Sequence, residues 1–269
     1  MPKSGFKVSG CAIKGVEAVF ADSPHSFARH IHDQFGVGVM LRGAQKSFSG
    51  RGMVEAQEGD VITVNPGEVH DGAPIDDRGR AWNMLYFNPS LLVSPALALT
   101  EGRSDTIESV YPVLRSAKAA TWFLALFRAM TASSGGCSEL EGQETLLLLL
   151  AQLGAGHGGR QQVSMPRPVR LARERIDDDP VALVSLDELA SMGGVSPFQL
   201  LRGFSKITGL TPHAYLVQRR LQKARRLIIQ GMPLAQAAQE AGFADQSHMT
   251  RLFARTYGIT PGLYAAAMG

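Results

Sequence analysis

Two hydrophobic periods divide the chain. In the first ninety or so residues the apolar positions fall in short β-rich runs: 35–41 (FGVGVML), Val61–Val64 (VITV) and 81–87 (AWNMLYF). Turn formers separate them, Asn65-Pro66-Gly67 and Asp76-Asp77-Arg78-Gly79, so the runs read as strands of a small barrel or jelly roll. Beyond residue 105 the spacing lengthens to that of helices, predicted over 106–116, 119–132 and 139–152. The last holds TLLLLLAQL, apolar on nearly every side, and so requires burial in more than one direction. A glycine-rich stretch, 154–162, has no apolar period and reads as a linker running to Pro166 and Pro168. The remainder is helical, with stripes such as Leu186, Leu189 and Ala190. The fold class expected is α+β: an N-terminal barrel with appended helices over 1–160, a linker at 161–168, and an all-α domain over 169–269.

One helical segment occurs twice. SPFQLLRGFSKITGLTPHAY starts at Ser196 and DQSHMTRLFARTYGITPGLY at Asp245. At a shift of 49 residues, Arg202 recurs as Arg251, Phe204 as Phe253, Lys206 as Arg255, Gly209 as Gly258, Thr211 as Thr260, Pro212 as Pro261 and Tyr215 as Tyr264. A repeat of fixed period marks a supersecondary unit used more than once. Each copy is a helix, a glycine break and a second helix. Ser185 and Glu188 have capping-box spacing, Gly193-Gly194 ends the first helix, and Ser196 with Pro197 starts the next. The second copy uses Pro233-Leu234, Ala237-Ala238, Gly242 and Asp245. This is the helix-turn-helix pattern, whose second helix enters the DNA major groove.

On these second helices Leu200, Leu201, Phe204 and Ile207, then Met249, Leu252 and Phe253, are expected to pack inward. Phe198, Gln199 and Arg202 in the first copy and Gln246, Ser247, His248, Arg251 and Arg255 in the second are left for solvent or DNA. Arginine pairs with guanine and glutamine with adenine through paired hydrogen bonds. One such polar face is as readily an ordinary solvated surface; two with matched arginines argue for a reader. The helix between the copies, from Thr211-Pro212 to Gln230, spans about 27 Å at roughly 1.5 Å per residue. That approaches the ~34 Å between successive major grooves on one face of DNA. Its Arg219, Arg220, Lys223, Arg225 and Arg226 suit phosphate contact or, equally, a solvated basic face.

GFADQSHMTRLFARTYGITPGLY, residues 242–264, closely resembles the signature of the AraC/XylS family of bacterial transcription regulators, and Lys206, Thr208-Gly209 and Thr211-Pro212 match it in the first copy. Residues 169–267 are similar to that family's DNA-binding domain. The resemblance implies base-reading positions at Phe198, Leu201, Arg202 and Ser205, and at Gln246, Ser247, His248 and Arg251. Leu201 and Ser205 depart from the polar and basic residues of well-known relatives. It also implies double-stranded DNA and RNA polymerase as partners, activation more often than repression, and no enzymatic activity.

Charge follows the same division: residues 167–269 carry 13 Lys and Arg against 8 Asp and Glu, and residues 1–166 carry 14 against 16. A locally basic half suits a polyanion partner. The two cysteines, Cys11 and Cys137, have no zinc or disulfide-framework spacing. No apolar run is long enough to span a bilayer, and MPKSGFKVSG has no secretory pattern, so a cytoplasmic location is expected.

In the first domain, His30-Ile31-His32 and Gly59…Asn65-Pro66-Gly67-Glu68-Val69-His70 resemble the two cupin motifs. His30 and His32 share a strand face because side chains alternate. With His70 they form either an effector pocket, walled by Trp82, Met84 and Tyr86 from one face of a later strand (Asn83 if the other face points inward), or a divalent-metal site in a sensor or enzyme fused to the reader. Gly36 and Val37 stand where metal-binding cupins carry glutamate, and no other acid–base pair is evident near the histidines, which favours the effector reading. RHIHDQFGVGVMLRG resembles a branch of the family associated with small-metabolite export, which implies an amino acid or similar polar effector. The leucines of 139–152 predict a homodimer through this helix, or else fill the core of a monomer.

Overall fold

The computed structural model describes residues 5–132, 139–154 and 165–268. The chain separates into two compact units, one on each side of residue 160. The expected glycine-rich linker and Cys137 lie outside the described residues, apart from the linker's two ends.

The first unit runs β1 (Gly5–Gly10), β2 (Val16–Ser23), β3 (Phe27–Ile31), β4 (Phe35–Arg42), β5 (Ala44–Ser49), β6 (Gly52–Gln57), β7 (Val61–Val64), β8 (Val69–Pro74), β9 (Arg80–Phe87), α1 (Val93–Leu99), β10 (Val113–Leu114), α2 (Ala117–Thr131) and α3 (Glu139–Gln152). Two antiparallel sheets, ordered β1-β2-β9-β4-β7-β10 and β3-β8-β5-β6, make a flattened barrel. The alternation of side chains gives the larger sheet two jobs. Val16, Ala18, Phe35, Val37, Val39, Leu85 and Phe87 form one core with Phe123, Leu126 and Phe127 of α2 and Leu149, Leu150 and Leu153 at the end of α3. The opposite face carries Glu17, Gly36, Gly38, Trp82, Met84 and Tyr86 and looks across the barrel.

Residues 106–116 form no helix. Pro112 interrupts any helical ladder there, and Leu114 pairs with Val61 of β7. Asn65 pins the segment, accepting from the Ser109 N–H at 2.7 Å and donating to its carbonyl at 3.1 Å. These pairings join residues more than forty positions apart and override the local helical spacing. Helix α3 divides its leucines: Leu149 and Leu150 are fully buried in their own unit, whereas Leu140 and Leu148 are 66% and 48% exposed.

The second unit is α4 (Arg167–Asp178), α5 (Leu186–Gly193), α6 (Pro197–Thr208), α7 (Pro212–Ile229), α8 (Leu234–Glu240), α9 (Gln246–Tyr257) and α10 (Pro261–Met268). Helix α5 packs on α4 and α6, which pack on α7, and α8 and α9 pack on α7 and on each other. Gly194, Gly209 and Gly258 end α5, α6 and α9 in the left-handed conformation that glycine adopts without a Cβ penalty. Ser185 caps α5, but Glu188 turns to Arg175 at 3.6 Å instead of closing the expected box. The full box forms one helix later: Ser196 Oγ accepts from Gln199 N–H and Gln199 Oε1 from Ser196 N–H. No helix among the described residues is long and apolar enough to cross a membrane.

Candidate nucleic-acid interface and barrel site

Most of the repeated residues have a structural task. Thr211 caps α7, Thr260 Oγ accepts from Leu263 N–H, and Pro212 and Pro261 open their helices from buried positions. Phe204 and Phe253 are fully buried. Tyr215 donates to Asp177, and burial, with that carboxylate's charge, pushes its phenol up to about 12; Tyr264 accepts from Arg225 Nε at 2.8 Å. Two repeated pairs, Arg202 with Arg251 and Lys206 with Arg255, remain exposed on α6 and α9.

Around them, Phe198 stands 65% exposed in the first turn of α6, with the Arg202 guanidinium 5.7 Å from its ring centre. Gln199 has its Oε1 committed to the cap, so its amide offers donors but not the acceptor half of an adenine pair. Leu201 and Ser205 are half-buried. In α9, Gln246, Ser247, Arg251 and Arg255 are exposed, and His248 is half-buried with its ring edge-on to Phe243 at 5.6 Å. Ile207 is a correction: it lies 37% exposed at the edge of α6 rather than inside.

The basic run of α7 also needs correcting. Arg219 Nε meets Asp177 at 2.8 Å. Arg220 donates to the carbonyls of Pro180 and Gly242, and Arg225 is buried against Tyr257 and Tyr264. These three tie helices together and do not offer a face to phosphate. Arg226 is exposed and Lys223 half-exposed. A run of five cations on one helix cannot share a face at 3.6 residues per turn, and the inward ones take protein acceptors.

In the barrel, His30 on β3 is the register partner of His70 on β8, with ring centres 4.3 Å apart, and His32 follows the end of β3. One ring nitrogen from each of the three lies within 4.8 Å of the others. Tyr86 stacks on His32 at 4.6 Å. Trp82, Met84 and Tyr86 share the inward face of β9, and Asn83 lies on the other. Burial and the neighbouring imidazole push His30 down to about 3, and burial pushes His70 down to about 4. Both are therefore neutral at pH 7. Their Nδ1 atoms sit 2.7 and 3.4 Å from the carbonyls of Ala28 and Glu68, a tether that leaves Nε2 as the lone-pair atom. Two neutral imidazoles held this way, with the His32 ring beside them, are a donor set that fits a divalent ion.

Sequence reasoning missed two groups in this space. Glu17 of β2 is the register partner of Tyr86 and accepts from Gln34 Nε2 at 3.0 Å, so a buried carboxylate does lie near the histidines. Arg80, at the start of β9, is 1% exposed on the same face as Trp82. The two-residue spacing of Arg80, Trp82, Met84 and Tyr86 was the available signal for the arginine; Glu17 is 69 positions from its partner and gave none.

The buried imidazoles have a pH consequence. Unfolded histidines take protons below about pH 6.5, whereas His30 and His70 do so only near 3 and 4. Between those limits the unfolded state holds more protons, so stability present above pH 6.5 is lost as pH falls. Chelator-treated protein is expected to melt at a lower temperature at pH 5 than at pH 7, with a smaller drop in His70→Gln. An unchanged drop in that variant would place the imidazole in water.

Comparisons with known proteins agree with this architecture. A family model described as an AraC-like ligand binding domain matches residues 14–150, and one described as a helix-turn-helix domain matches 189–267. The chain is 28% identical over 227 residues to the HTH-type transcriptional regulator YbfI of Bacillus subtilis, covering 83% of this chain and 81% of that protein. It is 35% identical over 101 residues to the transcriptional activator NphR of Rhodococcus, covering 37% of this chain and 29% of that one. The crystal structure of ToxT from Vibrio cholerae matches the fold with a TM-score of 0.59 at 10% identity, over 98% of both chains. A ligand-binding sheet domain matched over half the chain, followed by the repeated helical reader, places this protein in the AraC family of transcriptional regulators.

Proposed function

We propose that the barrel binds a small-metabolite effector through His30, His32 and His70, with Trp82 and Tyr86 as walls, and that the effector controls transcription, as an activator, through two base-reading helices. The reading helices use Phe198, Gln199, Arg202, Gln246, Ser247, His248, Arg251 and Arg255. In this reading residues 1–160 sense, 161–168 link and 169–269 bind DNA; the protein works in the cytoplasm with RNA polymerase as partner and catalyses no reaction. The observation that carries it is a subtraction. Caps, tyrosine clasps and buried phenylalanines account for most of the repeated positions, and what remains is a matched pair of exposed cations on each second helix. The effector is tested by a thermal-shift screen of metabolites, amino acids included, on the full chain, since a ligand specific for the folded state raises its melting temperature. His32→Ala and His70→Ala are expected to weaken the effector; unchanged affinity in both would move the site elsewhere.

The imidazole geometry favours one second reading. His30, His32 and His70 would hold a divalent ion, which would supply a fixed positive charge for an anionic ligand group. Metal analysis separates the readings: stoichiometric, tightly bound iron or zinc supports the second, and metal-free protein that binds effector supports the first.

The same reading includes a homodimer through α3, with the exposed Leu140 and Leu148 as the contact. The buried Leu149 and Leu150 already belong to their own core, so the dimer rests on fewer leucines than the helix carries. Leu140→Glu with Leu148→Glu is expected to convert a sedimenting dimer to a folded monomer. A monomeric wild-type chain at micromolar concentration overturns this part.

A further inference from the structure

Arg80 is the largest fully buried side chain described in the protein. Its Nε donates to Gln45 Oε1 at 2.9 Å, one terminal nitrogen to the His25 carbonyl at 3.0 Å, and the other to the Gly72 carbonyl at 3.1 Å. All three acceptors are neutral. Among the described residues no carboxylate stands within ion-pair distance: Asp22 is paired with Arg42, and Asp76 with Arg78. A guanidinium has five N–H groups, and these bonds use three. Burial alone pulls its pKa down to about 10, so it remains charged at pH 7.

A second group at the same place lacks a partner. Ser47 on β5 is 9% exposed, and its Oγ is buried without a hydrogen bond among the described residues. Gly72 stands between the two: a Cβ there would lie 3.3 Å from the Arg80 guanidinium and 3.7 Å from Ser47 Oγ. The face of Trp82 lies 4.6 Å from the guanidinium carbon, and Phe27 sits edge-on to Trp82 at 6.2 Å. A clasp holding the β2–β3 loop to β5 and β8 would account for the three bonds of Arg80. It would not account for an idle hydroxyl beside a charge with no counter-charge, each of which costs free energy when buried.

We infer that this end of the barrel seats the carboxylate of a monoanionic effector. Arg80 supplies charge-assisted donors, Ser47 a hydroxyl donor, and Trp82 with Phe27 the apolar wall for the body of the ligand. The inference rests on the reading of the barrel as the effector site and narrows it to carboxylic acids. A single guanidinium in an aromatic surround matches one negative charge better than the two of a phosphate.

The test uses the full-length protein with a series of probes, each paired with its own amide: phenylalanine, leucine, 3-phenylpropionate, indole-3-acetate and decanoate. At least one acid is expected to raise the melting temperature while its amide does not. Calorimetry should then show its affinity falling tenfold or more in Arg80→Gln and about threefold in Ser47→Ala. If Arg80→Gln does not fold, Arg80→Lys and Ser47→Ala carry the test. Amides binding as well as acids, no acid binding at all, or unchanged affinity in folded Arg80→Lys and Ser47→Ala would each overturn the acid seat. Neutral probes that bind and are lost in His32→Ala would overturn the acid class alone and leave the barrel as effector site. Acid binding indifferent to His32, Trp82 and Arg80 variants would remove both.

Discussion

Arg251→Ala is expected to lose about 1–3 kcal/mol on the cognate DNA site, roughly five- to 150-fold in affinity, and to relax base preference at one position. Arg251 sits on the outward face of α9, which Met249 and Phe253 anchor to the unit's core from the other side. The backbone under it is held by the Asp245 cap and the Gly258 terminus, so truncating the side chain leaves the helix in place. Arg202→Ala should act likewise at a second position about one DNA turn away. Arg226→Ala removes a cation from the exposed face of α7 and should weaken all sequences alike. Selection from random DNA followed by titration on selected and scrambled sites reads both effects. Equal losses on both sites for Arg251→Ala would remove it from base reading.

Gly38→Ala should destabilise the barrel by about 3 kcal/mol or more, at the upper end of overpacking effects. A Cβ on Gly38 would stand 2.1 Å from Met84 Sδ and 2.3 Å from the Asn83 carbonyl oxygen. The thioether could swing away, but the carbonyl belongs to the β4–β9 ladder and cannot. Gly36 is similarly confined, with Tyr86 Cε1 at 2.8 Å. These two glycines let Met84 and Tyr86 lie flat across the inner face of β4. Gly142→Ala is the control: it lies in α3 with open space around it and should be neutral or stabilising by up to about 1 kcal/mol. Thermal melts of the two variants decide the matter; equal melting temperatures would mean that the barrel yields at β4.

The parts of this architecture legible in the sequence were those encoded within a few residues. Ser196, Pro197, Gly209, Thr211 and Pro212 each act on backbone groups one to four positions away, and their repetition exposed the paired readers directly. The bounds of α3 and β7 followed from apolar spacing for the same reason. What stayed hidden depends on partners distant in sequence. Segment 106–116 has helical spacing but is recruited by β7 and Asn65. Arg219, Arg220 and Arg225 look identical to Arg226 as letters, and only the packing of α4, α8 and α10 around α7 separates clasps from exposed charge. The histidine triad was legible through its motifs; Arg80, Ser47 and Glu17 had none, Glu17 reaching Tyr86 through strand pairing and Arg80 reaching Ser47 from the opposite sheet.

The way α7 spends its arginines also affects how DNA affinity should vary with ionic strength. Each cation that neutralises a phosphate releases counterions, and the slope of log affinity against log salt counts those cations. Arg220 and Arg225 are neutralised by no phosphate; carbonyl and phenol oxygens of the protein itself occupy them. The electrostatic footprint is thus set by a smaller population than the 13 basic residues of this half. Those clasps join neutral acceptors, so salt concentrations that strip the protein from DNA leave them intact, and release from DNA and loss of the helical fold become separable on one salt axis.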